Sequence, residues 1–322
     1  MKTIAEYSAD VETAIRNLGL PGGKLASLYE PIEYGLSAGG KRIRPVLVLM
    51  GADAFGKDSS KALIPAVGIE TFHNFTLLHD DVMDNSDLRR GRPTVHKKYD
   101  ENTAILSGDT MLTLATKYIA DVEDSKLRKV LDTFNDMAIK VYEGQRLDMD
   151  FETSENISVS DYLEMIEGKT GSLLGASAKI GAIIGDASDT DAQLMYEYGV
   201  MTGLAFQIQD DWLDTFGDYT TFGKPIGGDI LNAKKTYLYV AALAEGGQTA
   251  EALRAAFSIP AGDMRVKTVT RLYEKLGMNE KCKKAVGSYS AKALKALNAT
   301  SLGEEEKESF RKLAEKLIGR KK

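Results

Sequence analysis

Cysteine is almost absent from this chain. Cys282 stands alone, which excludes an intramolecular disulfide and any zinc site built on cysteines. Histidine is scarce too. His73, His79 and His96 are the whole set, and none forms an HExxH pair for a metal. No apolar run reaches the roughly 18 residues a membrane span requires. The most apolar stretch, residues 173–185, is short and broken by Lys179. The opening MKTIAEYSADVETAI carries early acids and no apolar centre, so it does not read as a signal peptide. A cytoplasmic protein is the expectation from these absences. A basic excess is also lacking: the net charge is −6, which leaves no electrostatic footprint for nucleic acid. There is no low-complexity linker and no repeat of 20–50 residues. One domain spanning residues 1–322 is therefore expected. The 43% hydrophobic content is enough for a sizeable core.

What is present is helical spacing. In residues 62–84 the apolar side chains Leu63, Ile64, Val67, Ile69, Phe72, Phe75, Leu77 and Leu78 recur at threes and fours. Residues 103–122, 125–141, 160–184 and 191–213 read in the same way. Alternating β-branched runs bounded by turns are few. The glycine pairs Gly22-Gly23, Gly39-Gly40 and Gly227-Gly228 punctuate helices rather than strands. The expected fold class is all-α. The last third is amphipathic, charged and bland, and its basic tail Arg320-Lys321-Lys322 reads as a solvated terminus.

Two acidic clusters stand out, Asp80-Asp81-Val82-Met83-Asp84 and Asp210-Asp211-Trp212-Leu213-Asp214. Each is a DDxxD closing an apolar helical run. With 25 aspartates in the chain, random placement gives only about 0.15 such matches. Residues four apart share a helix face, so Asp80 meets Asp84 and Asp210 meets Asp214. Like charges so placed destabilise a helix unless a cation compensates. Magnesium suits the task, because it takes one or two carboxylates and fills its shell with water or phosphate oxygens. A solvated acidic face explains one cluster as well as a metal does, but two copies much less well. An EF-hand is excluded by ligand order.

Cations follow in a definite order. Gly39-Gly40-Lys41-Arg42-Ile43-Arg44-Pro45 pairs flexible backbone with charge. Arg89-Arg90-Gly91-Arg92-Pro93-Thr94 comes just after the first cluster, and Lys224, Asp229 and Lys234-Lys235-Thr236 come after the second. Gly168-Lys169-Thr170-Gly171 lies in a helical stretch and is no P-loop, since Leu163 stands where that loop needs glycine. His73, two helical turns before Asp80, is either a satisfied buried histidine or a diphosphate ligand.

This ordered set, GGKRIRP, His73, DDVMD, RRGRPT, GKTG, QIQDDWLD, GKPIGGD and KKT, resembles the trans-isoprenyl diphosphate synthases, the farnesyl, geranylgeranyl and longer polyprenyl enzymes. The motifs cover residues 39–236, and the C-terminal third adds little. The resemblance implies antiparallel helices around a deep central cavity with both aspartate motifs at its mouth, three magnesium ions and a homodimer. By position it makes Asp80, Asp84 and Asp210 direct metal ligands, with Asp81, Asp211 and Asp214 acting directly or through water. Lys41, Arg44, His73 and Arg90 take isopentenyl diphosphate. Arg89, Lys169, Lys224 and Lys234 contact the allylic diphosphate, and Thr170 and Gln207 lie beside the developing carbocation. Phe75 and Thr76, five and four residues before Asp80, belong to the pocket floor. Phe75 as a single aromatic there resembles the twenty-carbon, geranylgeranyl type, with farnesyl next. A class I terpene cyclase would lack GGKxxR and the second DDxxD, and a non-catalytic partner subunit would lack the aspartates.

Overall fold

Helices form wherever the apolar period persists, and caps decide where they begin. In the computed structural model, which describes residues 1–56, 58–217 and 226–319, α1 (Ile4–Arg16) starts at Thr3. Thr3 accepts from the Glu6 amide while Glu6 reaches back to the Thr3 amide. Its buried face is Tyr7, Val11 and Ile15, one residue per turn. Then come α2 (Ala26–Leu36), α3 (Ile43–Gly56) and α4 (Leu63–Met83). A minimal hairpin follows, β1 (Leu88–Arg89) and β2 (Arg92–Pro93), with Leu88 opposite Pro93 and Arg89 opposite Arg92. After it lie α5 (Val95–Lys98), α6 (Glu101–Ile119), α7 (Asp124–Thr153), α8 (Val159–Ile166), α9 (Ser172–Ile184) and α10 (Asp189–Phe216). The remaining described helices are Gly228–Leu231, Tyr237–Leu243, Gly247–Phe257, Asp263–Lys275, Met278–Ala299 and Glu304–Ile318. The all-α expectation holds, and the hairpin is the only sheet among the described residues.

Two elements differ from the spacing. Residues 160–184 form not one helix but two, joined by a π-helical turn at Glu167–Gly171. α7 runs on past residue 141 to Thr153. Its second half, Glu143–Asp150, is too polar to show an apolar period. It is supported instead by pairs such as Arg146 with Asp150, 2.6 Å apart at i, i+4.

The chain divides into two compact units. The first comprises Met1–Asn135 and Ser177–Gln193. α4 is its central element, buried on every side from Pro65 to Phe72, which explains why its apolar residues sit at mixed spacings. α3 packs closely within the same unit. A Cβ on Gly51 would lie 2.8 Å from the Ala182 amide nitrogen, so only glycine permits the approach. The second unit comprises Asp136–Ala176 and Leu194–Lys322. Its core gathers Tyr162, Leu204, Ile208, Leu238, Leu253, Tyr273 and Cys282. The bland C-terminal third contributes Leu253, Tyr273 and Cys282 to this core, and further on Phe310 packs edge-on against Tyr198 and accepts that hydroxyl at its carbonyl, 2.8 Å away. Among the described residues no helix is long and apolar enough to cross a membrane.

Candidate active site

In the first unit, α4 carries the leading aspartate motif to its C-terminal end, where Asp84 is the capping residue. Asn85 then turns left-handed, at φ +49°, and the Ser86 amide bonds back to the Asp81 carbonyl. The three acids have different surroundings. Asp81 is 4% exposed and receives Arg89 as a fork, with Nε and Nη2 both bonded at 2.7–2.9 Å. Burial works against the Arg89 charge, yet its pKa is raised, because Asp81 holds it and Asp80 and Asp84 add their fields. Asp80 is partly exposed and Asp84 exposed.

Arg90 and Gly91 are the two turn residues of the hairpin, at φ +53° and +74°. Positive φ at both positions is the geometry of a tight hairpin turn. For arginine it costs about 1 kcal/mol. The Arg90 guanidinium lies directly over Gly40, where a Cβ would come within 2.9 Å of both terminal nitrogens. Beside it Arg44 donates from Nη1 to His73 Nε2 at 3.2 Å, since a guanidinium has no acceptor. Arg44 Nε is buried without a hydrogen-bond partner. Burial lowers the Arg44 pKa to about 10, with help from Arg90 and against Glu70. Arg90 is exposed on its outer side, and partial desolvation lowers its pKa too, against Glu70 and with repulsion from Arg42 and Arg89. His73 is held well below its usual range by burial and by Arg44, Arg90, Arg89 and Arg42, so it is neutral. Such a surplus of positive charge favours an anion.

Arg42 belongs to the frame of this site. Its guanidinium bonds to Glu12 at 2.7 Å, Glu70 at 2.6 Å and the Leu36 carbonyl at 2.7 Å. It thereby ties the glycine loop to α1, α2 and α4, with its own backbone left-handed at φ +50°. Lys41 is exposed. Phe75 is buried, and its ring meets Phe72 at 5.6 Å and His79 at 4.8 Å. Phe72 in turn meets Phe134 edge-on at 5.3 Å. Thr76 bonds its hydroxyl to the His73 carbonyl at 2.8 Å.

The second unit holds the other motif. Lys169 and Thr170 lie on the π-helical turn, a backbone form that recurs at functional positions. Lys169 pairs with Asp148 at 2.5 Å. The turn packs so closely that a Cβ on Gly144 would sit 2.2 Å from the Lys169 amide. Thr170 donates to Gln207 at 3.2 Å, and Gln207 donates to Asp211 at 3.2 Å. Asp211, 4% exposed, also accepts from the Tyr162 hydroxyl at 2.5 Å and the Tyr237 amide at 2.8 Å. Burial pushes its pKa up to about 7, and Asp229 adds to the push, while Tyr162, the Tyr237 amide and Lys234 resist it. Asp214 accepts from the Asp229 amide at 2.9 Å and, through its carbonyl, from the Gly227 amide at 2.7 Å. Desolvation opposes the Lys234 charge, yet its pKa is raised by Asp229, Asp148, Asp211 and Asp210. Lys224 and the tail Arg320-Lys321-Lys322 lie outside the described residues.

Among the described residues, no three His, Cys, Asp or Glu side chains converge to hold a metal by themselves. Among the described residues, Asp148, Asp210, Asp211 and Asp229 all act on Lys234, and Asp229 adds to the burial that raises Asp211. A hard divalent ion fits such residues when phosphate oxygens and water complete its shell. Sequence reasoning missed Glu12, Glu70, Asp148 and Tyr162, and left Asp229 without a role. The only available signal was that Asp148 stands one helical turn after Gly144, which marks a close approach only once the fold is known.

An all-α chain with two carboxylate motifs and a cluster of arginines suits an enzyme that handles organic diphosphates. Comparison with known proteins specifies the class. Residues 25–276 match the polyprenyl synthetase family. The chain is 42% identical over 245 residues to a geranylgeranyl diphosphate synthase of Methanosarcina mazei, covering 76% of this chain and 75% of that one. A crystal structure of a geranylgeranyl pyrophosphate synthase superposes with a TM-score of 0.95 at 40% identity over 100% of both chains. The geranylgeranyl pyrophosphate synthase of Corynebacterium glutamicum, complexed with isoprenyl diphosphate and magnesium, is 26% identical with a TM-score of 0.84 over 99% of this chain and 96% of that one. Relatives near 40% identity also include proteins named geranylfarnesyl diphosphate synthase. This chain belongs to the polyprenyl synthetase family, and it is a prenyltransferase.

Proposed function

We propose that the enzyme condenses isopentenyl diphosphate with an allylic diphosphate to give a linear short-chain product, geranylgeranyl diphosphate. The observation that carries this reading is the cluster of Arg44, neutral His73 and Arg90, cationic side chains short of matching acids. That cluster takes the isopentenyl diphosphate, with Lys41 at its exposed edge. Asp80 and Asp84 in the first unit, and Asp210 and Asp214 in the second, would hold divalent ions, three of magnesium, which would supply charge neutralisation to the leaving allylic diphosphate. Arg89, Lys169, Lys224 and Lys234 add fixed positive charge to the same group. As the allylic C1–O bond breaks, Thr170 and Gln207 present oxygen dipoles to the developing cation. The isopentenyl double bond attacks C1, and a proton then leaves from C2 of the isopentenyl unit to the released diphosphate. Neutral His73 is poorly suited to serve as that base, because the arginines around it disfavour its protonation.

Asp81 and Asp211 position rather than ligate, since Arg89 holds one and Tyr162, Gln207 and the Tyr237 amide hold the other. Phe75, backed by Phe72 and Phe134, is the floor that stops growth at twenty carbons. The unit boundaries fall inside α7, α9 and α10 rather than in linkers, which supports one isoprenoid synthase domain over residues 1–322. A cytoplasmic homodimer completes the proposal. Incubation with isopentenyl diphosphate, a series of allylic primers and magnesium, followed by mass analysis, tests it. A linear twenty-carbon diphosphate is expected, and cyclic hydrocarbon or no turnover would overturn it. Folded Asp80→Ala and Asp210→Ala variants should each lose at least about 100-fold in kcat.

A further inference from the structure

The hairpin that carries Arg89 and Arg90 has strands of two residues each. So short a ribbon does not hold itself together in water. Three attachments fix it. At its base, the Thr94 amide bonds to the Asp87 carbonyl at 3.0 Å and the Thr94 hydroxyl to the Ser86 carbonyl at 2.8 Å. On β1, Arg89 forks onto Asp81. On β2, the attachment is Tyr34 of α2. Its hydroxyl donates to the Pro93 carbonyl at 2.8 Å. The Arg92 guanidinium lies over its ring at 4.2 Å from the centroid, and the Lys98 ammonium at 3.7 Å. Arg92 reaches on to the Ser37 hydroxyl at 3.2 Å, one turn further along the chain from Tyr34. Tyr34 therefore grips the strand on both sides of the segment in sequence, Arg92 and Pro93 before α5 and Lys98 within it.

We propose that Tyr34 is a positioning residue for isopentenyl diphosphate: it holds the hairpin so that Arg90, strained in its turn, stays over Gly40. Loss of the grip lets β2 move away from α2 and lets the Arg90 backbone relax from its left-handed conformation. The guanidinium then leaves the place beside Arg44 and His73. Tyr34 is partly exposed, so its truncation removes this grip without opening the core. Nothing in the sequence pattern marks it, because the cations that hold its ring lie 58 and 64 positions away. The proposal rests on the reading of Arg90 as a diphosphate ligand.

The test is steady-state kinetics on the full chain, with isopentenyl diphosphate varied at saturating allylic diphosphate and the reverse. Tyr34→Ala should raise KM for isopentenyl diphosphate about 10-fold, leaving kcat within about 2-fold and the allylic KM unchanged. Tyr34→Phe keeps the ring and loses the hydroxyl, and a rise of about 3-fold is expected. Arg92→Gln, which keeps the Tyr34 hydrogen bond, should fall between wild type and Tyr34→Ala, and serves if Tyr34→Ala does not fold. In the Arg90→Ala background, Tyr34→Ala should add nothing. A full additional 10-fold in that background, or equal rises in both KM values, overturns the positioning role and leaves Arg90 as a ligand. If Arg90→Ala itself leaves KM for isopentenyl diphosphate unchanged, the assignment of that pocket fails, and this proposal fails with it.

Discussion

The anion pocket of the first unit and the aspartate cluster of the second are unbalanced in opposite senses. In the first, burial and then neighbouring arginines drive the pKa values of Arg44 and Arg90 down. In the second, burial and then Asp229 drive Asp211 up to about 7. Under the proposed function the first would take a diphosphate as it stands and the second only once cations arrive, so two substrates with the same head group would be distinguished by what each region lacks.

The largest expected effect breaks the comparison at its root. Chelation of divalent metal should abolish turnover. Calorimetry on the chelated protein should still detect isopentenyl diphosphate, while affinity for an unreactive allylic analogue falls by at least about 100-fold. Equal metal dependence for both ligands would erase the distinction. Next in size, Arg44→Ala removes charge-assisted hydrogen bonds from the pocket. KM for isopentenyl diphosphate should rise about 10- to 100-fold with a far smaller change for the allylic partner. Initial-rate kinetics decide that.

A smaller effect concerns product rather than rate. Phe75→Ala removes the first aromatic of the proposed floor but leaves Phe72 and Phe134. Mass analysis should find a shift of one or two isoprene units, not an open-ended ladder. An unchanged product would remove Phe75 from that role. The smallest effect is on stability. His73 is neutral in the fold, whereas its unfolded pKa is near 6.5. Below pH 6.5 the unfolded chain binds a proton that the folded one refuses, so stability falls as the pH drops through this window. Urea unfolding at pH 5.5 and 7.5 should show wild type losing about 1 kcal/mol more than a His73→Gln variant over that interval.

The all-α fold, and where to look for a candidate site, were legible without coordinates. The aspartate motifs announce themselves because carboxylates four apart on a helix are costly alone. Glycine beside lysine and arginine advertises an anion site by composition. The period of α4, α6 and α10 placed the helices to within a few residues. Residues whose role exists only after packing were hidden. Arg42 and Arg44 look alike in sequence, yet Glu12 and Glu70 claim the first and leave the second to His73. Asp148 reads as one more solvated charge on a polar helix until Lys169 meets it. Asp81 and Arg89 stand eight positions apart, a spacing that no helical rule pairs, because a helix end and a hairpin intervene. The π-helical turn was invisible because an inserted residue leaves the apolar pattern on either side nearly intact.

The π-helical turn at Glu167–Gly171 ties packing to the aim of a side chain. A π-helical turn holds one residue more than the regular spiral needs, so whatever follows is rotated by about 100°. Removing a single residue between positions 167 and 171 would let α8 and α9 fuse into an ordinary helix with better hydrogen bonding. The hydroxyl of Thr170 would then face a different neighbour from Gln207. α9 would turn as well, and the close approach of Gly51 to Ala182 would be lost, so one extra residue sets the seating of a buried helix and the aim of a polar side chain together.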